Sequence, residues 1–311
     1  MTRFGSLGRA ASAGIGAIMA LALLTSASAA QQAYPSPEEA AASLAAALKT
    51  GTRSAILKVL GKDGEDIAVS GDDVADAEMR QRFLSAYEAK HSIKTEGNKK
   101  ATLIVGADDF PFPVPLVNNR SGWEFDTAAG RIEILYRRIG RNELDAIQTC
   151  LAFVDAQNEY AEKDRGEGVG VYAQRIVSSP GKKDGLFWRD DRDPSPLGVL
   201  AAKASAEGYK ASGEGEQPQP YHGYYFRIMR GQGTDAPGGA FNYVVKGKMI
   251  GGFALIAYPS EYGNSGVMTF VVNHSGVVYQ KDLGNSTGAL VKRMSWFDPD
   301  QTWKKVEEAK P

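Results

Sequence analysis

The sequence predicts an α+β protein of about two domains. Apolar residues recur at helical spacing near the start of the chain and again over residues 128–162. The intervening and final stretches instead carry short runs rich in Val, Ile, Tyr and Phe, separated by Gly, Pro and Asn, as in antiparallel sheets. A length of 311 residues suits about two domains, and we place them at residues 30–140 and 141–311.

Composition narrows the classes of partner. Hydrophobic residues make up 43% of the chain and charged residues 23%, as in soluble globular proteins that bury a core. The formal net charge is -1, so the chain lacks the basic excess that nucleic acid or an anionic membrane surface would require. We expect neither partner.

Residues 1–29 have the features of a secretory signal peptide. A short basic segment precedes an apolar run at residues 15–24, and small residues follow at Ala27–Ala29. Cleavage is expected after Ala29 or Ala30. The apolar run is shorter than the ~20 residues of a membrane-spanning helix, although an uncleaved anchor is the alternative. The prediction is a periplasmic or secreted protein without a stable membrane anchor.

Cys150 is the single cysteine, so an intrachain disulfide is excluded and core packing must hold the exported chain together. It lies on an apolar helical stripe with Ile147 and Val154, which predicts a buried position. A reactive thiol or an intermolecular disulfide is the alternative.

Helices are expected first in the N-terminal domain. Ser36 can cap a helix that begins at Pro37 and ends at Gly51. Two more helices are predicted, from about Thr52 to Leu60 and from about Asp73 to Lys90. The apolar face of the last of these carries Met79, Phe83, Leu84 and Tyr87.

Strand patterns follow at residues 101–105, 113–117 and 122–126, and the prolines of the second run restrict it to a sheet edge or an irregular stretch. Helices followed by a curved antiparallel sheet resemble the cone-shaped domains of the nuclear transport factor 2 type. This resemblance covers residues 35–135 and rests on the order of the elements.

The C-terminal domain is expected to begin with a helix. The helical pattern of residues 128–162 has one weak point at Gly140, where we place the boundary, and Asn142 can cap the second segment. An irregular excursion at residues 178–220 follows, interrupted by one short helix from about Pro196 to Glu207.

The stretch Tyr221–Gly284 is the best-specified sheet in the sequence. The turn Asn273–Gly276 has the Asn and Gly positions of a type I turn and predicts a hairpin of Met268–Asn273 with Val277–Asp282. The central strands should be covered on one face by the helix at 142–162. The second hairpin strand turns polar halfway, which predicts an edge.

Several blocks of the chain, in this order, carry a family resemblance. They are GKDGEDI at 61–67, DDFPFPVPLV at 108–117, GWEFDTAAG at 122–130, RRIGRNELDAIQ at 137–148, SSPGKKDGL at 178–186 and the block Tyr221–Gly284. Together they resemble the exported bacterial family catalogued as domain of unknown function 2950, throughout the mature length. The resemblance implies no assigned activity.

A second resemblance concerns the C-terminal half. Its helix carries A-x-N-E-Y-A at residues 156–161, and the later runs G-Y-Y-F, F-A-L-I-A-Y-P and T-F-V-V-N follow an irregular excursion. This order resembles the globular heads of type IV pilins. Pilins assemble through a long apolar N-terminal helix, whose place is taken here by a separate domain, so the resemblance does not imply a pilus subunit.

No set of residues in the sequence predicts catalysis. Gly263–Gly266 resembles the G-x-S-G around a serine nucleophile, but a triad also needs a histidine oriented by an acid. None of His91, His222 and His274 lies in a matching segment. We therefore interpret Ser265 as a turn residue and predict no catalytic residues.

Cofactor motifs are also missing from the sequence. Gly166, Gly168 and Gly170 follow a helix, whereas a dinucleotide fingerprint follows a strand. Three scattered histidines and one cysteine do not have the spacing of ligands in a zinc site. Acidic turns such as 63–66 and 190–193 could offer oxygen ligands to calcium but lack the EF-hand pattern, so solvated turns are expected. No cofactor or metal is predicted.

The remaining candidates are aromatic. Tyrosines cluster in the final domain around a histidine, and tyrosine is enriched at protein interfaces. The predicted contact surface consists of Tyr221, His222, Tyr224, Tyr258 and Tyr262. Our hypothesis is a non-catalytic binding protein for another envelope protein, acting in envelope assembly or maintenance.

The alternative hypothesis is a small-molecule carrier or enzyme that uses the cup of the N-terminal cone. Phe83, Tyr87 and Trp123 would line this cup, with Asp126 or Glu133 as a carboxylate beside it. A filled core at the same place is the competing interpretation. The sequence predicts neither the ligand nor the oligomeric state.

Overall fold

The computed structural model describes residues 31–190, 192–210 and 218–307. They form α-helices and open antiparallel sheets, which confirms the α+β class. The expected signal peptide, residues 1–29, and both expected cleavage positions lie outside the described residues. Within the described ranges, no helix combines the length and the apolar character needed to cross a bilayer.

Helices come first, as expected. They are α1 (Pro37–Thr50), α2 (Arg53–Leu60), α3 (Glu65–Ala68) and α4 (Asp73–Ala89). The Ser36 hydroxyl caps α1 by accepting a hydrogen bond from the Glu39 amide at 3.2 Å. Gly51 ends this helix in the left-handed conformation, with φ at 65°.

The first sheet follows directly. Its strands are β1 (His91–Glu96), β2 (Lys100–Val105), β3 (Phe110–Pro111), β4 (Leu116–Asn119) and β5 (Gly122–Phe125). They are antiparallel in the order β1-β2-β4-β5, and β3 pairs with β2. The sequence analysis missed β1, because Ile93 is its one apolar residue. The strand expected at 113–117 begins only at Leu116, since Pro113 and Pro115 have no amide N–H for the ladder.

Helix α5 (Thr127–Ala161) joins the two halves of the chain. It crosses Gly140 without interruption, so Asn142 lies inside the helix rather than at a cap, contrary to expectation. A helical glycine costs only about 1 kcal/mol, which packing on both sides can offset. The division of the chain at residue 140 stays a prediction.

The second half contains the larger sheet. After α6 (Gly198–Ala206) come the strands β6 (Tyr224–Met229), β7 (Gly231–Gln232), β8 (Phe241–Asn242), β9 (Val244–Val245), β10 (Lys248–Met249), β11 (Ala254–Pro259), β12 (Met268–Asn273) and β13 (Val278–Asp282), then α7 (Thr287–Val291) and β14 (Lys304–Lys305). Five of these strands pair in the antiparallel order β14-β13-β12-β11-β6, and β6 is therefore an edge strand. The short helix expected near residues 196–207 is α6.

The predicted hairpin of β12 and β13 is confirmed. Its turn closes with a hydrogen bond from the Gly276 amide to the Asn273 carbonyl at 2.9 Å. The prediction that the second hairpin strand is an edge was wrong, because β14 pairs with β13 at Tyr279 and Gln280. The buried Trp303 ring anchors this returning segment.

Helix α5 covers the central strands of the larger sheet, as expected. The Phe153 ring on α5 meets the Phe253 ring edge-on, with 5.6 Å between ring centroids. Cys150 is fully buried in the same core, and burial raises the pKa of its thiol to about 12. The predicted packing role of Cys150 is therefore confirmed.

The two halves meet through buried polar side chains. Both carboxylate oxygens of Asp72 are engaged: Oδ1 caps α4 by accepting from the Val74 and Ala75 amides. Oδ2 accepts from the Tyr209 hydroxyl at 2.9 Å and from the Gly223 amide at 2.8 Å. The cap of a helix in the first half thus holds the start of the larger sheet.

We predict that Asp72→Ala lowers the free energy of unfolding by about 2–4 kcal/mol. The change removes a helix cap and leaves buried donors unpaired. Urea unfolding measures the effect. The control is Asp73→Ala, an exposed acid one residue further along the same helix, which should cost only a few tenths of a kcal/mol. Equal losses for the two variants would contradict the role of Asp72.

Candidate functional site

A tight turn presents His222 to the junction of the two halves. Tyr221 and Tyr224 exchange backbone hydrogen bonds at 2.8 and 3.0 Å, so His222 and Gly223 form a two-residue loop. Both loop residues have positive φ, 47° and 73°, as a type I′ turn requires. The Tyr209 hydroxyl also accepts a hydrogen bond from the His222 amide at 3.2 Å. The left-handed conformation of His222 is thus held by the surrounding contacts.

The His222 ring lies between two carboxylates. Its Nδ1 is 3.6 Å from Asp145 Oδ2 on α5, and its Nε2 is 3.2 Å from Glu207 Oε2 just after α6. These groups line a polar cleft of about 200 Å³, together with Arg138 and Arg141 of α5. Charged side chains from α5 and from the segment around α6 therefore lie together in the cleft.

Arg138 is the most deeply buried cation of the polar cleft, with 3% of its surface exposed. Its guanidinium donates to the Asp66 and Ile67 carbonyls and to Asn264 Oδ1. Burial lowers the pKa of Arg138, and the nearby carboxylates of Asp76 and Asp66 oppose that effect. Arg138 therefore ties α5 to segments from both halves.

Burial raises the pKa of Asp76, which is 5% exposed. Hydrogen bonds from Ser70 and the charges of Arg138 and Arg80 oppose this shift. Asp76 is thus a carboxyl whose charged form is costly in the folded chain.

The described residues do not assemble a catalytic triad. The Ser265 hydroxyl is buried and bonded within its own turn, to Ser260 and Glu261. His274 is an exposed residue beside the aromatic rings of Tyr243 and Phe253. In the described hydrogen bonds, neither His222 nor His274 is joined to a serine.

Acidic and glycine-rich segments have local structural roles. Asp66 pairs with Arg131, and Lys183 pairs with Asp190 and Asp193. Among the described residues, no group of three His, Cys, Asp or Glu side chains is placed to hold a metal ion. The Asp164 carboxylate accepts from the Gly166 and Gly168 amides at 2.8 Å each, so this segment forms a turn after α5.

An apolar groove of about 1070 Å³ lies on the described surface. It runs between α5, α6, the edge of the larger sheet and the segment at residues 176–188. Its apolar lining includes Phe153, Ile176, Phe187, Trp188, Leu200, Ala201, Tyr225 and Phe226. A volume of this size suits a ligand of several hundred daltons or an inserted peptide segment.

Polar residues also line the apolar groove, among them the buried Ser195 and Trp188. The Ser195 hydroxyl is buried and has no hydrogen-bond partner in the described chain. The Trp188 indole donates to the Asp193 carbonyl at 2.7 Å and stacks on the buried Arg165 guanidinium at 4.8 Å. The Trp188 ring is therefore held in place beside the groove. The Ser195 hydroxyl can donate and accept a hydrogen bond to a ligand.

The predicted contact surface is divided by the structure. Tyr221 lines the apolar groove and His222 lines the polar cleft. Tyr224 is fully buried, and its hydroxyl donates to the Met268 carbonyl at 2.9 Å, so it is not available to a partner. Tyr258 is half-buried beside Tyr225, and Tyr262 lies further along the chain against Asp282.

The residues of the predicted cup take part in core packing. Phe83 stacks on Tyr87 at 6.1 Å between ring centroids, and Trp123 belongs to the core, 8% exposed. Neither the polar cleft nor the apolar groove is lined by these three residues. Asp126 caps α5, and Glu133 pairs with Arg137 at 2.7 Å.

Sequence reasoning missed the apolar groove. Most of its lining comes from residues 176–220, within or beside the stretch interpreted as an irregular excursion. The apolar runs Leu186–Trp188 and Leu197–Ala202 were the available signal. The pair His222-Gly223, between tyrosines, could also have indicated a type I′ turn.

Fold and site together define an α+β protein with a polar cleft at the junction of its halves and an apolar groove beside its larger sheet. The model of the family described as "Protein of unknown function (DUF2950)" matches residues 31–306. The chain belongs to this family, as its sequence blocks indicated. Searches of curated proteins and of solved structures gave no significant match. The resemblances to nuclear transport factor 2 cones and to pilin heads stay predictions.

We predict that Asp76→Asn gains stability relative to the wild type as the pH rises above 3.8. Below that ordinary value the carboxyl is protonated in both the folded and the unfolded state, so it adds no pH dependence to the stability. Between 3.8 and the raised folded pKa only the folded state keeps the proton, so wild-type stability falls with rising pH. Asparagine does not titrate and avoids this loss.

Urea unfolding between pH 4 and pH 7 checks this prediction. The matched control is Asp73→Asn, an exposed acid in the same helical turn as Asp76. A constant stability difference between Asp76→Asn and the wild type over this range would show that the Asp76 pKa is not raised.

Proposed function

We propose that the chain is an exported, non-catalytic binding protein whose apolar groove holds an apolar segment of another envelope protein. The observation that supports this most strongly is the groove itself, with its size and its aromatic walls. Tyr209, Tyr221, Tyr225 and Trp188 all line it, and tyrosine and tryptophan are the residues that contribute most at protein interfaces.

The distribution of reactive groups supports binding over catalysis. The Cys150 thiol is buried in the core with a pKa of about 12, far from a thiolate at neutral pH. The Ser265 hydroxyl is bonded within its own turn. Around His222, both ring nitrogens face carboxylates rather than a nucleophile.

Export and envelope location are part of the same proposal. They rest on the basic segment, the apolar run and the small residues of residues 1–29. The net charge of -1 argues against nucleic acid as a partner. The proposed role is in assembly or maintenance of the envelope.

A small-molecule carrier or enzyme that uses the cup of the first half has less support. Trp123 is buried in core contacts, and its backbone pairs with Tyr34 in both directions, at 2.8 and 2.9 Å. Phe83 also packs edge-on against Phe112. These contacts are those of a filled core.

Ala201→Trp tests the groove as the binding site. A photo-reactive phenylalanine analogue at Ser205, an exposed residue of the groove, should cross-link one envelope protein repeatedly. For that protein, once purified, Ala201→Trp should raise the Kd at least about tenfold, because the indole occupies the groove.

The matched control is Val199→Trp. Val199 is 87% exposed on the same helix and does not line the groove, so it adds equal bulk outside the site. Its Kd should equal that of the wild type. Equal weakening by both variants, or cross-links to lipid alone, would contradict the proposal.

Export predicts a defined new N-terminus. When the full chain is expressed in a bacterium with an outer membrane, mass spectrometry of the soluble envelope fraction should find a protein that begins at Ala30 or Gln31. Deletion of residues 15–24 should keep the uncleaved chain in the cytoplasm. Recovery of membrane-bound protein that still begins at Met1 would show an uncleaved anchor instead.

A further inference from the structure

The edge strand β6 has unpaired backbone groups. The Ser260 amide donates to the Gly223 carbonyl at 2.9 Å, so the backbone of residue 223 faces β11, and alternation places 225, 227 and 229 on the same side. Phe226 and Ile228 therefore direct their N–H and C=O groups away from the sheet. Within the described chain, these four groups have no hydrogen-bond partner.

Local pairing limits this free edge at both ends. Tyr224 is paired with Tyr221 in the turn, and the Arg230 carbonyl accepts from the Tyr243 amide at 2.9 Å. The unpaired stretch between them is long enough for a short extended segment. In a sheet edge, such groups form a template for an added strand.

The strand also lacks the features that usually protect an edge. It contains no proline, and its one charged side chain, Arg227, is turned onto α7, where it donates to the Val291 and Met294 carbonyls at 2.6 and 2.7 Å. Arg227 therefore does not shield the edge.

The apolar groove reaches this edge. Tyr225 and Phe226 are consecutive residues of β6 and point to opposite faces of the sheet, yet both line the groove. A groove that is lined by both residues extends to the outer edge of the strand. The groove thus offers side-chain pockets beside unpaired backbone groups.

The charges at the groove favour an acidic occupant. Arg189 and Lys210 are exposed cations of its lining, whereas Asp190, the one carboxylate among the described lining residues, is paired with Lys183 at 3.1 Å. An apolar segment with acidic residues would complement this surface.

We infer that the occupant of the groove is an extended, acidic and apolar segment of a partner protein that adds to β6 as a further strand, pairing with Phe226 and Ile228. This inference rests on the proposed function and specifies the conformation of the partner. Strand addition takes affinity from backbone hydrogen bonds and specificity from alternate side chains, which here would enter the aromatic groove.

The probe is a dodecapeptide selected from a random library on the purified protein and required to lose binding to Ala201→Trp. Selected peptides should alternate apolar with other residues and carry acidic ones. On binding, amide hydrogen exchange at Phe226 and Ile228 should slow at least about tenfold, because new bonds protect them. A peptide N-methylated at alternate residues, with unchanged side chains, should bind at least about tenfold more weakly.

Ile228→Pro removes one outward N–H without removing a bond to β11, and Ile228→Ala keeps that N–H. The peptide should bind the proline variant at least about tenfold more weakly than the alanine variant. If both variants bind equally and exchange at the two amides is unchanged, strand addition is refuted while groove binding stands.

If no selected peptide distinguishes the wild type from Ala201→Trp, the proposed function itself fails. Should the proline variant misfold, the exchange and N-methyl experiments on the wild type decide.

Discussion

The arrangement of the molecule depends on one buried carboxylate. Asp72 is 2% exposed and accepts four hydrogen bonds, two from the first turn of its own helix and two from residues more than 130 positions away in the chain. Burying a charge is costly unless it is fully hydrogen-bonded, so the partners of Asp72 must be held together for the fold to be stable. The constraint couples the beginning of α4 to Tyr209 and Gly223.

The position of His222 in the polar cleft and the start of β6 follow from that constraint. Fixing the Gly223 amide fixes the type I′ turn, which directs His222 between Asp145 and Glu207 and sets the first residue of β6. Only glycine fits at 223, since an added Cβ would lie 2.6 Å from the side-chain nitrogen Nδ2 of Asn142. One turn thus sets both the position of His222 in the polar cleft and the start of β6.

Much of the fold could be predicted from local patterns, and little of the site could. Ser36 and Gly51 bound α1, and Asn273 with Gly276 closes a hairpin, because caps and turns need particular residues at particular positions. Strand β14 and the apolar groove depend instead on distant segments that meet only in the folded chain. Tyr224 shows the same limit: the sequence placed it on the predicted contact surface, whereas packing in the folded chain buries it.

Tyr209 connects the groove to the junction. Its ring lines the apolar groove, while its hydroxyl donates to Asp72 and accepts from the His222 amide. Burial and the charge of Asp72 raise the pKa of this hydroxyl, so it stays a donor at any physiological pH. A segment bound in the groove would contact the same ring that holds the two halves together. Because a ligand that binds only the folded state stabilises it, occupation of the groove and integrity of the junction are linked.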